Sequence, residues 1–163
     1  SRKNPFTLLK NMIPAYFTAI GTQSSAATIP VTLRQTKLNG VKGKVADFVI
    51  PLCATIHLSG STITLVSCAM AVMVLTGMPI TFGSMFPFIL MLGVTMVAAP
   101  GVPGGAVMAA LGLLESMLGF DTTLTSLMIA LYIAQDSFGT ATNVTGDGAI
   151  AIVTNRMSKS EPA

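Results

Sequence analysis

Four side chains near the end of the chain have types and spacing suited to chemistry: Asp136, Thr140, Asn143 and Asp147. They stand at i, i+4, i+7 and i+11, which is one stripe of a 3.6-residue helix. Their flanks are apolar and small, "LTSLMIALYI" before and "AIAIV" after. An ionised carboxylate at mid-membrane costs roughly 2.5–3.5 kcal/mol on insertion scales. No Lys or Arg occurs between Val45 and Asn155, so the counter-charge is expected from outside the chain: a bound cation, or the ammonium group of a substrate. The plainer alternative is a protonated or solvent-facing pair. A hard cation takes oxygen ligands from carboxylates, amides and free carbonyls, which Asp147, Asn143 and a nearby helix break would supply. Asp136, one turn from Thr140, suits an ammonium.

Composition says what surrounds this stripe. Of 163 residues, 52% are apolar and 9% charged, against about 25% charged in a soluble domain. From Phe48 to Leu114 there is no Asp, Glu, Lys or Arg. A soluble fold needs polar residues on every surface element, so this is an integral membrane sequence. The basic residues lie at the edges: Arg2, Lys3 and Lys10, then Arg34, Lys37, Lys42 and Lys44, then Arg156 and Lys159. The positive-inside rule puts the 34–44 loop and the C-terminus in the cytoplasm. The net charge of +3 therefore reports topology. It does not report nucleic-acid binding, for which aromatics among the basic residues would be expected. Cys53 and Cys68 sit in apolar runs without metal-ligand spacing and read as packing, as do the eleven Met residues.

The elements that must position the stripe have unusual lengths. A helical span needs about 20 apolar residues. "NMIPAYFTAIGT", "QSSAAT" and "IPVTL" instead make two short arms around a small-residue tip, the pattern of a re-entrant hairpin lined by protein or a water-filled cavity. "KVADFVIPLCATI", "HLSGS" and "TITLVSCAMAVMVLTGMPI" make a spanning helix broken at Pro51 and the polar patch. "FPFILMLGVTMVAA", "PGVPGG" and "AVMAALGLLESMLG" repeat the hairpin, because two prolines and three glycines in six residues stop a helix. The last helix spans and carries the polar stripe. The fold class is thus all-α membrane protein, in four units over 1–36, 37–80, 81–119 and 120–163. The order is a weak two-fold repeat of the kind that places binding sites at the midplane of secondary transporters. Half-helix N-termini at the two tips offer N–H groups to a carboxylate, so an amino acid could be held at both ends.

"SS" followed by "TIPVT", "ATIHLSGS", "GVPGG" and "NVTGD" together resemble the dicarboxylate/amino acid:cation symporter family, which includes the sodium-coupled glutamate transporters. The resemblance covers nearly the whole chain. It implies the transport-domain core: first hairpin, seventh helix, second hairpin and eighth helix, with six scaffold helices outside this sequence. It also implies a homotrimer in a cell (inner) membrane, bacterial and multi-pass. Position by position, Ser24 and Ser25 would bind the substrate carboxylate, Gly101, Val102, Pro103 and Gly104 would form the gate, and Asp136 would bind the amine. Gly139, Thr140 and Asn143 would line the substrate. Asn143 and Asp147, with backbone at Cys53 and His57, would hold one sodium ion. Thr55, with backbone at Met96, Val97 and Ala99, would hold a second.

The departures matter as much. His57, Leu58, Ser59, Gly60 and Ser61 stand where glutamate transporters have Asn-Met-Asp-Gly-Thr, so Ser59 removes the aspartate of a third sodium site and leaves protons open as the driving ion. His57 reads as a hydrogen-bonded structural group. The arginine for an acidic substrate side chain is missing, with Gly139 at its position and Gln23 at the alternative one. A buried anionic side chain without a partner is heavily penalised. The last-helix string resembles the bacterial cystine-uptake branch. The expected function is therefore a cation-coupled amino acid symporter for L-cystine, with serine, threonine or another neutral amino acid as the alternative. Part of a cation channel is the alternative from a different class. No enzyme is expected, because the lone His57 has no nucleophile partner.

Overall fold

The computed structural model describes residues 4–158, so Arg2, Lys3 and Lys159 lie outside the described residues. The described residues form seven helices in chain order: α1 (Pro5–Thr22), α2 (Ser25–Leu38), α3 (Gly43–Ile56), α4 (Ser59–Leu75), α5 (Phe82–Met96), α6 (Gly105–Leu118) and α7 (Thr122–Met157). The first six run for 14 to 18 residues. At 1.5 Å per residue that is about 21–27 Å, short of a ~30 Å hydrocarbon core. Only α7, at 36 residues, is long enough alone, about 54 Å. Among the described residues, the stretch Gly43–Leu75, taken across its break, is the one segment both long and apolar enough to cross a membrane.

Helix α1 turns back into α2 through two residues. Gln23 takes the left-handed conformation (φ 51°), and Ser24 caps α2 by accepting from the Ala27 N–H. At the far end Asn39 Nδ2 donates to the Leu8 carbonyl, and Asn11 donates to Asn39 Oδ1 at 2.8 Å, so the two helices are antiparallel. Helices α5 and α6 pack together across the loop 97–104. Two boundaries differ from the sequence expectation. The loop assigned to 34–44 is confined to 39–42, because Arg34, Gln35, Lys37 and Leu38 are good helix formers and extend α2. Pro51 lies inside α3, and the chain leaves the helix six residues later, at His57 and Leu58.

Helix α7 is the hub. It packs against α1, α2, α3, α4 and α6, starts on an Asp121 cap, and stays unbroken through its polar stretch. There its threonines bond back within the helix, Thr142 to Phe138 O and Thr145 to Ala141 O. Three apolar cores meet it. One joins α4, α5 and α6 to its first half through Met128 and Tyr132. The other two join α2–α3 and α1 to its second half through Ala151 and through Ala141 and Val144. The polar stripe lies in the seam between them. Outside, large apolar side chains such as Phe6, Phe17, Phe48, Leu75 and Phe82 face outward, as a lipid- or protein-facing surface requires.

Candidate functional site

The stripe on α7 meets the tips of both hairpins and the break between α3 and α4. Asp136 is 3% exposed. Its Oδ2 accepts from the Gly104 N–H at 2.7 Å, and its Oδ1 accepts from the Tyr132 hydroxyl at 3.0 Å and from Thr140 Oγ1 at 3.4 Å. Gly104 can aim its N–H this way because it sits at φ 71° at the start of α6, a conformation costly for other residues. On the other side of the same loop, the Gly101 carbonyl accepts from Ser24 Oγ at 2.8 Å and from the Ala26 N–H at 3.2 Å. A side chain at Gly101 would run into the Ala54 carbonyl, so only glycine lets the tip come this close.

The loop 97–104 thus presents a donor to Asp136 and an acceptor to the α2 tip. An α-amino acid presents the same two functions, ammonium and carboxylate. The remaining space among Gln23, Ser25, Ser61, Val102, Asp136 and Thr140 is a cavity of about 10 Å³, room for about one water. Admitting anything larger requires one of the lining elements to move. Gln23 Nε2 also donates to Ser137 Oγ at 3.0 Å, tying the α1–α2 tip to α7.

The lower half of the stripe has different partners. Asn143 Oδ1 accepts from the N–H groups of Gly60 (2.8 Å) and Ser61 (3.2 Å), and its Nδ2 donates to Ser61 Oγ at 2.8 Å. Helix α4 has no side-chain cap from Leu58, so Asn143 caps it from across the interface and satisfies two of its orphan N–H groups. Gly60 sits against the Gly139 carbonyl, and a Cβ on Gly139 would lie 3.2 Å from Ser61 Cα. Gly139 is therefore the contact that admits α4, and its missing side chain points at that helix. Asp147, 1% exposed, meets His57, whose Nδ1 is 2.8 Å from Oδ1. Each carboxylate thus has hydrogen-bond partners within the chain: the Gly104 N–H, Tyr132 and Thr140 at Asp136, and His57 at Asp147.

In this arrangement Asn143 Oδ1 and Asp147 Oδ1 face donors of the chain itself, and the Cys53 carbonyl accepts the His57 N–H at 2.9 Å. A cation bound through those two side-chain oxygens would have to displace the donors. The other oxygen set is neutral. Thr55 Oγ1 donates to Leu52 O and keeps lone pairs, and Met96 O accepts weakly from the Ala99 N–H at 3.3 Å. The loop that begins at Val97 reaches α3 where Gly101 meets Ala54. Sequence reasoning missed Tyr132, although it extends the helical stripe by one turn before Asp136. It also missed Ser61 and Ser137, whose partners are 82 and 114 residues away and leave no local signal.

Two helical hairpins and a broken helix close around a polar seam in an apolar helical bundle. Residues 1–157 match the sodium:dicarboxylate symporter family. The chain belongs to that family, whose members are transporters and not enzymes. It is 33% identical over 162 residues to human excitatory amino acid transporter 2, a match covering 99% of this chain and 28% of that protein. It is 30% identical to human excitatory amino acid transporter 1 and to an excitatory amino acid transporter of Caenorhabditis elegans, in each case over 99% of this chain and 30% and 32% of the relative. The chain thus spans about a third or less of the length of these curated relatives.

Proposed function

We propose that the full-length protein is a secondary-active, sodium-coupled symporter for a zwitterionic amino acid, L-cystine first, and that this chain is its substrate-carrying part. The observation that carries this is the closed site itself. One buried carboxylate is answered by a backbone N–H of the loop 97–104, and a cluster of donors at the α2 tip is answered by a carbonyl of the same loop. In the proposed cycle the loop withdraws. The substrate ammonium then replaces Gly104 N–H at Asp136, and its carboxylate replaces the Gly101 carbonyl at Ser24 and Ala26. Ser25, Val102, Thr140 and Asn143 border the bound molecule, and the loop closes over it. Opening costs the loop's own hydrogen bonds, and the substrate restores them in kind.

Preference for a neutral substrate rests on charge. Among the described residues no Lys or Arg borders the cavity, so a side-chain carboxylate with no ammonium beside it, as in glutamate or aspartate, would be desolvated without a partner, whereas the second carboxylate of cystine brings its own ammonium. Thr55 with the backbone of Met96, Val97 and Ala99 is the proposed sodium site. The hairpins are proposed to be re-entrant, and the whole protein to be a homotrimer in a bacterial inner membrane. A second reading, serine or threonine, is favoured by the smallness of the cavity, since a short substrate displaces the loop least. The test is uptake of labelled L-cystine by the full-length protein in liposomes under an imposed sodium gradient, with glutamate, aspartate and serine as competitors and a pH gradient as the control. Cystine uptake driven by sodium and unaffected by glutamate is expected. Strong glutamate or aspartate transport overturns the neutral-substrate reading. Serine competing tenfold better than cystine, about 1.4 kcal/mol, transfers the substrate to the second reading. Uptake driven by the pH gradient alone assigns the coupling to protons.

A further inference from the structure

Asp147 and His57 form a built pair that the substrate site does not use. The ring belongs to the residue at which the chain leaves α3: His57 has non-helical backbone (φ −113°, ψ 88°), and its N–H closes the helix on the Cys53 carbonyl. This break lets the imidazole cross to α7. There it lies on Gly146, where any Cβ would stand 2.5 Å from His57 Cε1, and Nδ1 comes to 2.8 Å from Asp147 Oδ1. With Asp147 ionised the carboxylate can only accept, and Nδ1 is then the donor of this bond. Four residues back, Asn143 has its carbonyl oxygen on two N–H groups of α4 and its amide on Ser61.

A hard cation sits about 2.3–2.6 Å from each carboxylate oxygen it binds. The imidazole N–H occupies that approach to Asp147 Oδ1, and a ring and an ion cannot share it. We infer that His57 stands in for an ion: its imidazole fills the place at Asp147 that a coupling cation would take. This position is then not an ion site in this protein, and coupling runs through other groups. The inference rests on the transport reading above for its meaning, but its geometry is independent of the substrate.

The experiment is thermal unfolding of the purified full-length protein in detergent, followed by circular dichroism, in sodium chloride against choline chloride at equal ionic strength. Four proteins are compared: wild type, Asp147→Asn, His57→Asn and His57→Gln. Asp147→Asn is expected to keep the sodium-dependent rise in Tm of the wild type, because Asp147 does not hold the ion. His57→Asn, with a side chain too short to fill the seat on Gly146, is expected to add a further sodium-dependent rise on top of that of the wild type. His57→Gln, whose amide can still donate to Asp147, is expected to behave as wild type. The inference is overturned if Asp147→Asn abolishes the wild-type sodium response, or if His57→Asn adds none. Each of these variants decides by itself should the other fail to fold. Because the assay reads ion binding without transport, absence of cystine uptake in liposomes would refute the transport reading and leave this result standing.

Discussion

Asp136 and Asp147 lie on one face of one helix, are equally buried, and are answered in opposite ways. Asp136 faces a backbone N–H on a loop between two helices, held in place by a few hydrogen bonds and a glycine contact. Asp147 faces a side chain seated on a glycine of its own helix and anchored by a helix end. The first partner belongs to a loop; the second is a ring packed against Gly146. The contrast separates a carboxylate that meets a loop from one that meets a ring at the break between α3 and α4, a distinction that residue type and spacing do not carry; under the proposed function the first is the one available for exchange.

The largest expected effect tests the exchangeable partner. Asp136→Asn removes the charge that a substrate ammonium needs. Breaking a buried charge pair costs about 3–5 kcal/mol, so labelled cystine binding should fall by two orders of magnitude or more while the protein still elutes as folded. Unchanged affinity would end the assignment of Asp136 to the amine. Next comes Gly139→Arg. The position lies against Ser61 and Thr64, so this change is expected to push α4 away and to lower Tm by overpacking, about 1–3 kcal/mol or more. It is not expected to create a glutamate site, and a stable variant that transports glutamate would show that the side chain reaches the cavity after all.

Gly146→Ala probes the fixed partner. A methyl placed against the imidazole should cost about 1–3 kcal/mol, read as a lower Tm. The same change at Gly148, which meets the flexible end of Met12, should cost less, because methionine repacks. Equal effects would mean that the His57 seat is no tighter than an ordinary helix contact. The remaining predictions concern single hydrogen bonds of the site. Tyr132→Phe removes one of Asp136's donors, a loss of about 1–3 kcal/mol for a hydrogen bond to a charged group. It should weaken substrate binding without changing the sodium response. Ser24→Ala removes a cap, about 1 kcal/mol, together with one hold on Gly101, and should raise the rate of loop opening in hydrogen exchange at residues 101–105. No change there would mean that Ser24 does not help hold the loop shut.

Much of this organisation was legible in the sequence. The charge-free run from Phe48 to Leu114, the tip residues around Ser24 and Gly101, and the stripe from Asp136 to Asp147 follow from composition and helical periodicity, and both are local properties. Pro51 misled, because one lost hydrogen bond is tolerated in a helix packed on α7, whereas two successive non-helical residues at 57 and 58 are not helix at all. The basic stretch after Arg34 misled because charge marks a membrane edge without saying whether the backbone there is coiled.

The sequence by itself determined the solvent, the helical class, the family and the set of polar side chains that share one face. Tertiary structure alone decided the pairing: which carboxylate meets a loop and which a ring, that Asn143 caps α4, and that the gap at Gly139 faces a helix and not the cavity. The physical reason is range. Helical periodicity and transfer energy act within a few residues, but a hydrogen bond between Gly104 and Asp136, or one between His57 and Asp147, depends on where segments 32 and 90 residues apart come together, and that is set by the packing of whole helices.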